Sequence, residues 1–253
     1  DDLSTWYLRR SRGRKDPAFF ATLHEALIKT SRVVAPVMPY LSELLYLNLT
    51  RDSDGTEYSE SVHLSDWPEA EELSDKEKSI LRDMNVIREA ASIGQAARKS
   101  LKIPVRQPLS RLAFSVKSGT LPEPELIEVL LSELNVKRFD LEILGEKSPN
   151  VFVASGAASV ANFYLDISIS EDLRLEGLLR GLERGIQGLR KKQGFKVGEM
   201  AELRWKSDDE DIKKILGMVN KGKTYLSSVK EDESASEILE IDGKKLLLSL
   251  IRK

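Results

Sequence analysis

The sequence predicts an α+β protein with two domains, an N-terminal α-helical bundle over residues 1–105 and a mixed α+β domain over residues 106–253. Apolar residues in the first half recur at spacings of three and four, which is typical of helices. In the second half they recur at a spacing of two, which is typical of half-buried strands. The change falls at I-P-V-R-Q-P-L-S, residues 103–110, where two prolines end the helical pattern.

Helices of the first half are predicted, in order, from apolar stripes and end signals. One begins at Leu3 behind a capping Asp2, a second begins near Pro17, and a third follows the break A-P-V-M-P-Y. Ser74 and Glu77 form a capping box that opens a long helix from 75 to about 100. The stripe residues are Leu3, Trp6, Tyr7, Phe20, Leu23, Leu27, Val34, Tyr40, Leu41, Leu44, Leu45, Ile80, Met84, Ile87 and Ala91.

Strands and intervening helices are predicted in the second half. Alternation predicts strands over 112–116, 139–143, 163–169 and 203–205. Helices are expected near 123–134, over 171–193 and over 208–219. Asp242-Gly243, between two apolar runs, predicts a type I′ hairpin. We find no internal repeat in the sequence.

Composition excludes several kinds of site. The chain has no cysteine, so disulfides, thiolate zinc sites and cysteine nucleophiles are absent. Its two histidines, His24 and His63, lack a second plausible ligand nearby, so no metal site is expected. No apolar run reaches about 18 residues, so we expect no membrane span and a cytoplasmic protein. Because the chain starts at Asp1 rather than Met, we expect a piece of something longer.

Charge is unevenly distributed along a chain whose net charge is only −2. Residues 1–15 and 171–196 are rich in Arg and Lys, whereas residues 51–79 are acidic. Basic patches on a nearly neutral chain are a weak indication of a polyanionic partner. Solvated helix faces give the same pattern, and charge alone favours that interpretation.

Residues 217–224, G-M-V-N-K-G-K-T, match the letters of a phosphate-binding P-loop. A working P-loop follows a buried strand, so that backbone N–H groups surround the phosphates. Here the preceding residues, S-D-D-E-D-I-K-K-I-L, are acidic and helical in period. We therefore expect a helix end and a turn that bind no nucleotide. Because no other catalytic motif appears, we expect neither a catalytic residue nor a bound cofactor.

Five stretches of the chain follow one another in a recognisable order: L-S-T-W-Y-L-R-R-S-R-G-R, A-P-V-M-P-Y-L, S-V-H-L-S-D-W-P-E, V-R-Q-P-L and L-R-L-E-G-L-L-R-G-L-E-R-G-I-Q-G-L-R-K-K-Q-G-F. Together they resemble the C-terminal part of isoleucyl-tRNA synthetases, and the last two are closer to that enzyme than to its valyl and leucyl relatives. Two features depart from the family. The aromatic pair that commonly follows the arginine-rich helix is replaced by R-G-R-K-D-P-A-F, and the segment between L-N-V-K and L-R-L-E-G is short.

The resemblance implies a bundle of the class I synthetase anticodon-binding type, followed by a smaller mixed α+β domain. It implies binding to the anticodon stem-loop of isoleucine tRNA and packing against the catalytic domain of the same enzyme. The parent enzyme would ligate isoleucine to tRNA with ATP and magnesium. The chain has neither H-I-G-H nor K-M-S-K-S, the signatures that handle ATP, so we expect it to be catalytically inactive alone.

Candidate RNA-contact residues follow from chemistry and from the resemblance. Arg and Lys bind phosphates, and amides read base edges. Arg98 and Lys99 also suit the helix dipole, and Arg106 and Gln107 suit anticodon reading or domain packing equally. The candidates are Arg9, Arg12, Arg98, Lys99, Arg106, Gln107, Arg180, Arg184, Gln187 and Lys191, of which the last four fall at i, i+4, i+7 and i+11 on one helix face.

Two further interpretations concern residues outside that set. The glycines of the helix over 171–193 are expected to permit close packing rather than approach of RNA backbone. Trp6 and Trp67 are expected in a core or an interface. The main alternative function is a helical protein-interaction module derived from a synthetase, which the acidic balance and the glycine-rich helix would suit.

Overall fold

The computed structural model describes residues 2–14, 16–51, 58–144, 148–155 and 158–252. Its contacts divide the chain into two compact units, residues 1–73 and 74–253. The predicted order, helices first and sheets second, is confirmed. The sheet-containing unit is the larger of the two, because the long helix after Ser74 packs with the sheets. The domain boundary at residue 105 stays a prediction.

The first unit is helical. A π-helical segment spans Asp2–Leu8, α1 spans Pro17–Val34, α2 spans Pro39–Thr50, and a 3₁₀ turn spans Val62–Leu64. The carboxylate of Asp16 accepts the N–H of Phe19 at 3.0 Å, and Pro17 occupies the first turn of α1, where its missing N–H costs nothing.

A small core holds the first unit together, and it differs from the predicted stripe. Ile28, Ala35, Tyr46 and Val62 are buried against one another. Several predicted stripe residues of α1 and α2 are instead exposed, because the buried face of each helix is rotated from the predicted one: Phe20, Tyr40, Leu41 and Leu44.

The second unit contains five helices and eight strands among its described residues. The helices are α3 (Asp75–Ser100), α4 (Pro124–Leu134), α5 (Glu171–Lys192), α6 (Glu210–Met218) and α7 (Lys221–Thr224). The strands are β1 (Leu109–Val116), β2 (Val136–Phe139), β3 (Val151–Ser155), β4 (Val160–Asp166), β5 (Ala201–Lys206), β6 (Leu226–Glu231), β7 (Glu237–Ile241) and β8 (Lys244–Arg252). A 3₁₀ turn covers Leu141–Ile143.

Two four-stranded sheets form, with the orders β2-β1-β4-β3 and β6-β5-β8-β7. In each sheet one pair is parallel and the other two pairs are antiparallel. Apolar residues of β5 and β8 form one core with Leu178, Leu182 and Ile186 of α5. These three residues lie on the buried face of α5.

Local signals located several elements correctly. The capping box of Ser74 and Glu77 is present, and α3 has the predicted bounds. Asp242 and Gly243 have φ of 50° and 80°, as a type I′ hairpin requires.

The strand predictions were wrong in four places. The strand expected over 139–143 ends at Phe139, because the carboxylate of Asp140 accepts the N–H of Glu142 at 3.0 Å and caps a 3₁₀ turn. The strand expected over 163–169 ends at Asp166. The edge strands β3 and β6 were not predicted.

Within the described ranges, no helix is both long enough and apolar enough to cross a bilayer.

Candidate RNA-contact residues

Arg9 and Arg12 lie in the first unit, beyond its π-helical segment, and both are exposed. Arg9 Nε donates to the carbonyl of Thr5 at 2.7 Å, and its guanidinium lies 5.8 Å from the ring centre of Trp6. The half-buried Trp6 thus orients an arginine. Trp67, expected in a core or interface, is 61% exposed.

Arg98 is buried, and its guanidinium is occupied by the protein itself. It is 1% exposed and donates to the backbone carbonyls of Pro104, Gln107 and Asn135 at 3.0–3.2 Å. Burial lowers the pKa of Arg98 to about 10, so the side chain remains charged at neutral pH. A phosphate cannot reach a guanidinium enclosed in this way, and we therefore assign Arg98 a structural role instead of the predicted RNA contact.

The junction residues Arg106 and Gln107 face the rest of the second unit. Arg106 forms an ion pair with Asp242. Gln107 is buried, and its Nε2 donates to the carbonyl of Leu173 at 2.7 Å. Of the two roles that the sequence left open, this geometry favours packing for Gln107. Lys99, in the last turn of α3, is exposed.

The four α5 candidates divide into engaged and accessible side chains. Arg180 pairs with Glu176 at 2.8 Å and also donates to the side chain of Asn135. Gln187 donates to the carbonyl of Lys223 at 3.3 Å. These contacts hold Arg180 and Gln187 against neighbouring elements and leave less of each for RNA.

Arg184 and Lys191 are the accessible members of the α5 face. Both are exposed, and in the described part of the chain neither has an ion-pair partner. Seven residues separate them, which places them about 10 Å apart along the helix axis. Arg184 also borders an open cavity of about 340 Å³ beside Gly181 and Gly185. We call Arg184 and Lys191 the α5 cation pair.

The P-loop-like segment has no P-loop geometry. Its upstream residues form α6, as predicted, and not a strand. Lys223 pairs with Glu183 at 2.9 Å, and the buried hydroxyl of Thr224 donates to the carbonyl of Asn220 at 2.7 Å. The two side chains that would meet a phosphate and a metal ion are thus used within the fold. Among the described residues, no group of three His, Asp or Glu side chains is arranged to hold a metal ion.

Arg190 and Asn135 make tertiary contacts that were not predicted from the sequence. Arg190 is 4% exposed and donates to the carbonyl of Glu199. Asn135 ends α4 with φ of 52°, and its Nδ2 donates to the carbonyl of Val105 at 2.9 Å. An asparagine at the end of a helical pattern is a recognisable signal for a left-handed cap, but no local signal marks an arginine as buried.

Several known proteins are similar to this chain in sequence. Residues 1–113 match the model of a family described as the anticodon-binding domain of tRNA ligase. An isoleucine–tRNA ligase of Dehalococcoides mccartyi strain CBDB1 is 30% identical over 99% of this chain and 26% of its own length. Another, from Streptomyces avermitilis, is 29% identical over 84% of this chain and 27% of its own length. An isoleucine–tRNA ligase of Mycobacterium tuberculosis is 36% identical over 55% of this chain.

Proposed function

We propose that this chain binds the anticodon stem-loop of isoleucine tRNA. It carries the anticodon-binding domain of a tRNA ligase and is homologous to the C-terminal part of isoleucine–tRNA ligases. The observation that carries this proposal is the match of residues 1–113 to the anticodon-binding family. The exposed cations described above supply groups that neutralise phosphates.

The chain spans about a quarter of the length of the curated relatives it matches, 27% and 26% for two of them. We propose that the ligation of isoleucine to tRNA, with its ATP and magnesium, belongs to the remaining part of the enzyme. The role of this chain is then to hold the tRNA.

Phosphate contact is assigned most directly to Arg12, Lys99 and the α5 cation pair, because their side chains are exposed. Arg9 joins them with a guanidinium held by Thr5 and Trp6. Arg106 is occupied by Asp242 and would have to exchange that partner for RNA.

An apolar surface on the first unit supports the second proposed partner, the catalytic domain of the same enzyme. The end of α1 and the start of α2 expose large side chains that water solvates poorly. They are Val33, Val37, Met38, Tyr40, Leu41, Leu44 and Leu47, with Tyr40 91% exposed and Val37 82% exposed. A surface of this kind is expected to be covered by protein rather than by RNA, whose backbone is anionic.

The alternative, a protein-interaction module that binds no tRNA, draws on that same apolar surface. The two proposals differ in their salt dependence, because tRNA binding releases counterions and an apolar interface does not. One titration at two salt concentrations therefore distinguishes the two proposals.

The test is a titration of the whole chain with isoleucine tRNA and with a tRNA of different anticodon, each at about 50 and 200 mM salt. We expect tighter binding to isoleucine tRNA, and for both tRNAs an affinity that falls steeply with salt. Equal, salt-independent binding of both tRNAs, or no binding, contradicts the proposal and leaves the protein-interaction module.

A further inference from the structure

The second unit contains one succession of elements twice. Residues 75–166 form α3-β1-α4-β2-β3-β4, and residues 171–252 form α5-β5-α6-α7-β6-β7-β8. We call these segments the first and second modules. In each, the first strand lies parallel to the second and antiparallel to the fourth, and the third strand pairs with the fourth at the edge.

The long helices of the two modules, α3 and α5, can be aligned without a gap so that Arg98 coincides with Arg190. Buried positions then coincide: Val86, Ala90, Gly94 and Arg98 in α3, and Leu178, Leu182, Ile186 and Arg190 in α5. Identical residues also coincide: Leu81 and Leu173, Arg82 and Arg174, Arg88 and Arg180, Gln95 and Gln187, Arg98 and Arg190, Lys99 and Lys191, Val105 and Val197. No internal repeat was expected from the sequence, and this correspondence corrects that expectation.

The buried arginines of the two modules make equivalent contacts in the loop that follows each helix. Arg98 donates to the carbonyls of Pro104 at 3.2 Å and Gln107 at 3.0 Å. Arg190 donates to the carbonyls of Lys196 at 3.4 Å and Glu199 at 2.5 Å. In both modules the acceptors therefore lie six and nine residues after the arginine.

A third contact ties each arginine to the parallel strand pair. Arg98 donates to the carbonyl of Asn135 at 3.2 Å, and Arg190 donates to that of Tyr225 at 3.4 Å. Asn135 and Tyr225 both have left-handed φ, 52° and 54°, and both directly precede the second strand of their sheet. The same two carbonyls accept the N–H of the first residue of β1 and β5, Leu109 and Ala201.

A buried guanidinium is costly unless its donors are filled, and its planar fork can bind several carbonyls at once. Each arginine here joins a helix end, the following loop and the start of the parallel strands. The guanidinium of Arg190 also lies 4.9 Å from the ring centre of Phe195 and 5.5 Å from that of Tyr225. The arginine therefore determines where the loop lies.

The two loops held in this way, residues 101–108 and 193–200, present similar side chains to solvent. Each carries an exposed lysine, Lys102 in the first module and Lys196 in the second, although the alignment places these two lysines at different positions of the loop. Val105 and Val197, at corresponding positions, are 54% and 92% exposed. A fixed loop that offers a cation next to an exposed apolar side chain suits RNA, because it can bind a phosphate and contact an unstacked base or its ribose.

We infer that the second unit is a duplicated module and that loop 193–200 is an RNA-contact loop, positioned by Arg190 as Arg98 positions loop 101–108. The RNA part of this inference rests on the proposed tRNA binding. The duplication does not, and the two parts are tested by separate measurements. Neither Lys196 nor Val197 belonged to the candidates predicted from the sequence.

The first measurement is binding of isoleucine tRNA to the whole chain over a range of salt concentrations. Lys196→Ala and Lys102→Ala should each reduce the slope of log affinity against log salt by about 0.7, and Val197→Ser should lower affinity without changing the slope. Lys206→Ala, at the opposite end of β5, is the matched control and should change neither. If the unmodified chain binds tRNA and Lys196→Ala matches it in affinity and slope, the loop assignment is overturned. If the unmodified chain binds no tRNA, the proposed function fails and the loop assignment fails with it.

The second measurement is amide hydrogen exchange of the whole chain without RNA. Arg190→Met should cause loss of protection in residues 195–201 and 226–229, and Arg98→Met in residues 103–109 and 136–139. Arg190→Lys and Arg98→Lys, which keep the charge, should cause a smaller loss confined to the same residues. Loss that spreads equally over both modules in the lysine variants, or no loss in any variant, overturns the equivalence of the modules.

Discussion

The side-chain amide of Gln107 lies directly over Gly177, where a Cβ would overlap it. From that position Nε2 of Gln107 donates to the carbonyl of Leu173, four residues earlier in α5. Gly181 and Gly185 are approached similarly, by Ile241 and Leu239 of β7. Gly177, Gly181 and Gly185 therefore permit close packing, as expected from the sequence, whereas Gly188 has no such neighbour.

Replacing Gly177 with alanine should lower the stability of the protein. The added methyl group must displace a buried glutamine and break its hydrogen bond to Leu173, at a cost of about 1–3 kcal/mol. The free energy of unfolding, from urea denaturation followed by circular dichroism, measures the change.

Gly188→Ala is the matched control, because a Cβ at this position on the same helix meets no described atom within 4 Å. Here the helix propensity of alanine should act alone and raise stability by about 0.5–1 kcal/mol. A loss of stability in Gly188→Ala, or none in Gly177→Ala, contradicts the packing explanation.

The free energy of unfolding should fall in acid because the carboxylate of Glu202 becomes protonated. Its carboxylate accepts hydrogen bonds from Lys230, Arg204 and Ser228, each at 3.0 Å, and these hold the pKa of Glu202 at about 2, below its ordinary value of 4.5. A lowered pKa gives stability that is complete above about pH 4.5 and is lost as pH falls towards 2. Glu202→Gln should therefore be less stable at pH 5 and lose less between pH 5 and about 2.5, by urea denaturation. Glu69→Gln, at an exposed position, should follow the unmodified protein at every pH.

The P-loop-like segment should bind no nucleotide. Lys223 is held by Glu183 and Thr224 by Asn220, on a turn preceded by a helix. Calorimetric titration with ATP and magnesium should give only heats of dilution. Saturable binding that disappears in Lys223→Ala would show that the segment does bind nucleotide.

Local chemistry predicted the helices of this protein better than its strands. The bounds of α3 followed from a capping box and two prolines, which act within a few residues of each helix end. The edge strand β3 pairs with β4, the next strand along the chain, but its sequence V-F-V-A-S is an apolar run without alternation. The edge strand β6, L-S-S-V-K-E, also lacks a regular alternation and pairs with β5 across α6 and α7. Leu141 and Ile143 alternate as in a strand, yet one carboxylate, that of Asp140, turns the backbone into a 3₁₀ helix.

The candidate RNA-contact residues also show what local sequence signals fail to predict. Arg98 and Lys99 are neighbours with the same charge, and the sequence treated them alike. In the structure Arg98 is buried and donates to backbone carbonyls as distant in sequence as those of Pro104 and Asn135, whereas Lys99 is exposed. Whether an arginine is solvated or buried depends on these tertiary contacts, which helical periodicity alone does not specify.

The central claim, that exposed cations of this chain bind tRNA phosphates, is tested most directly on the α5 cation pair. Binding of isoleucine tRNA to the unmodified chain, Arg184→Ala and Lys191→Ala should be measured across salt concentrations, with Lys76→Ala, an exposed lysine in the first turn of α3, as the control. The account predicts that each α5 variant binds every tRNA more weakly and reduces the salt slope by about 0.7–0.9, while Lys76→Ala changes neither. Surface changes of this kind usually leave the fold intact, to within about 0.5 kcal/mol. Unchanged affinity and slope in folded Arg184→Ala and Lys191→Ala would contradict the account and make this face of α5 a solvated surface.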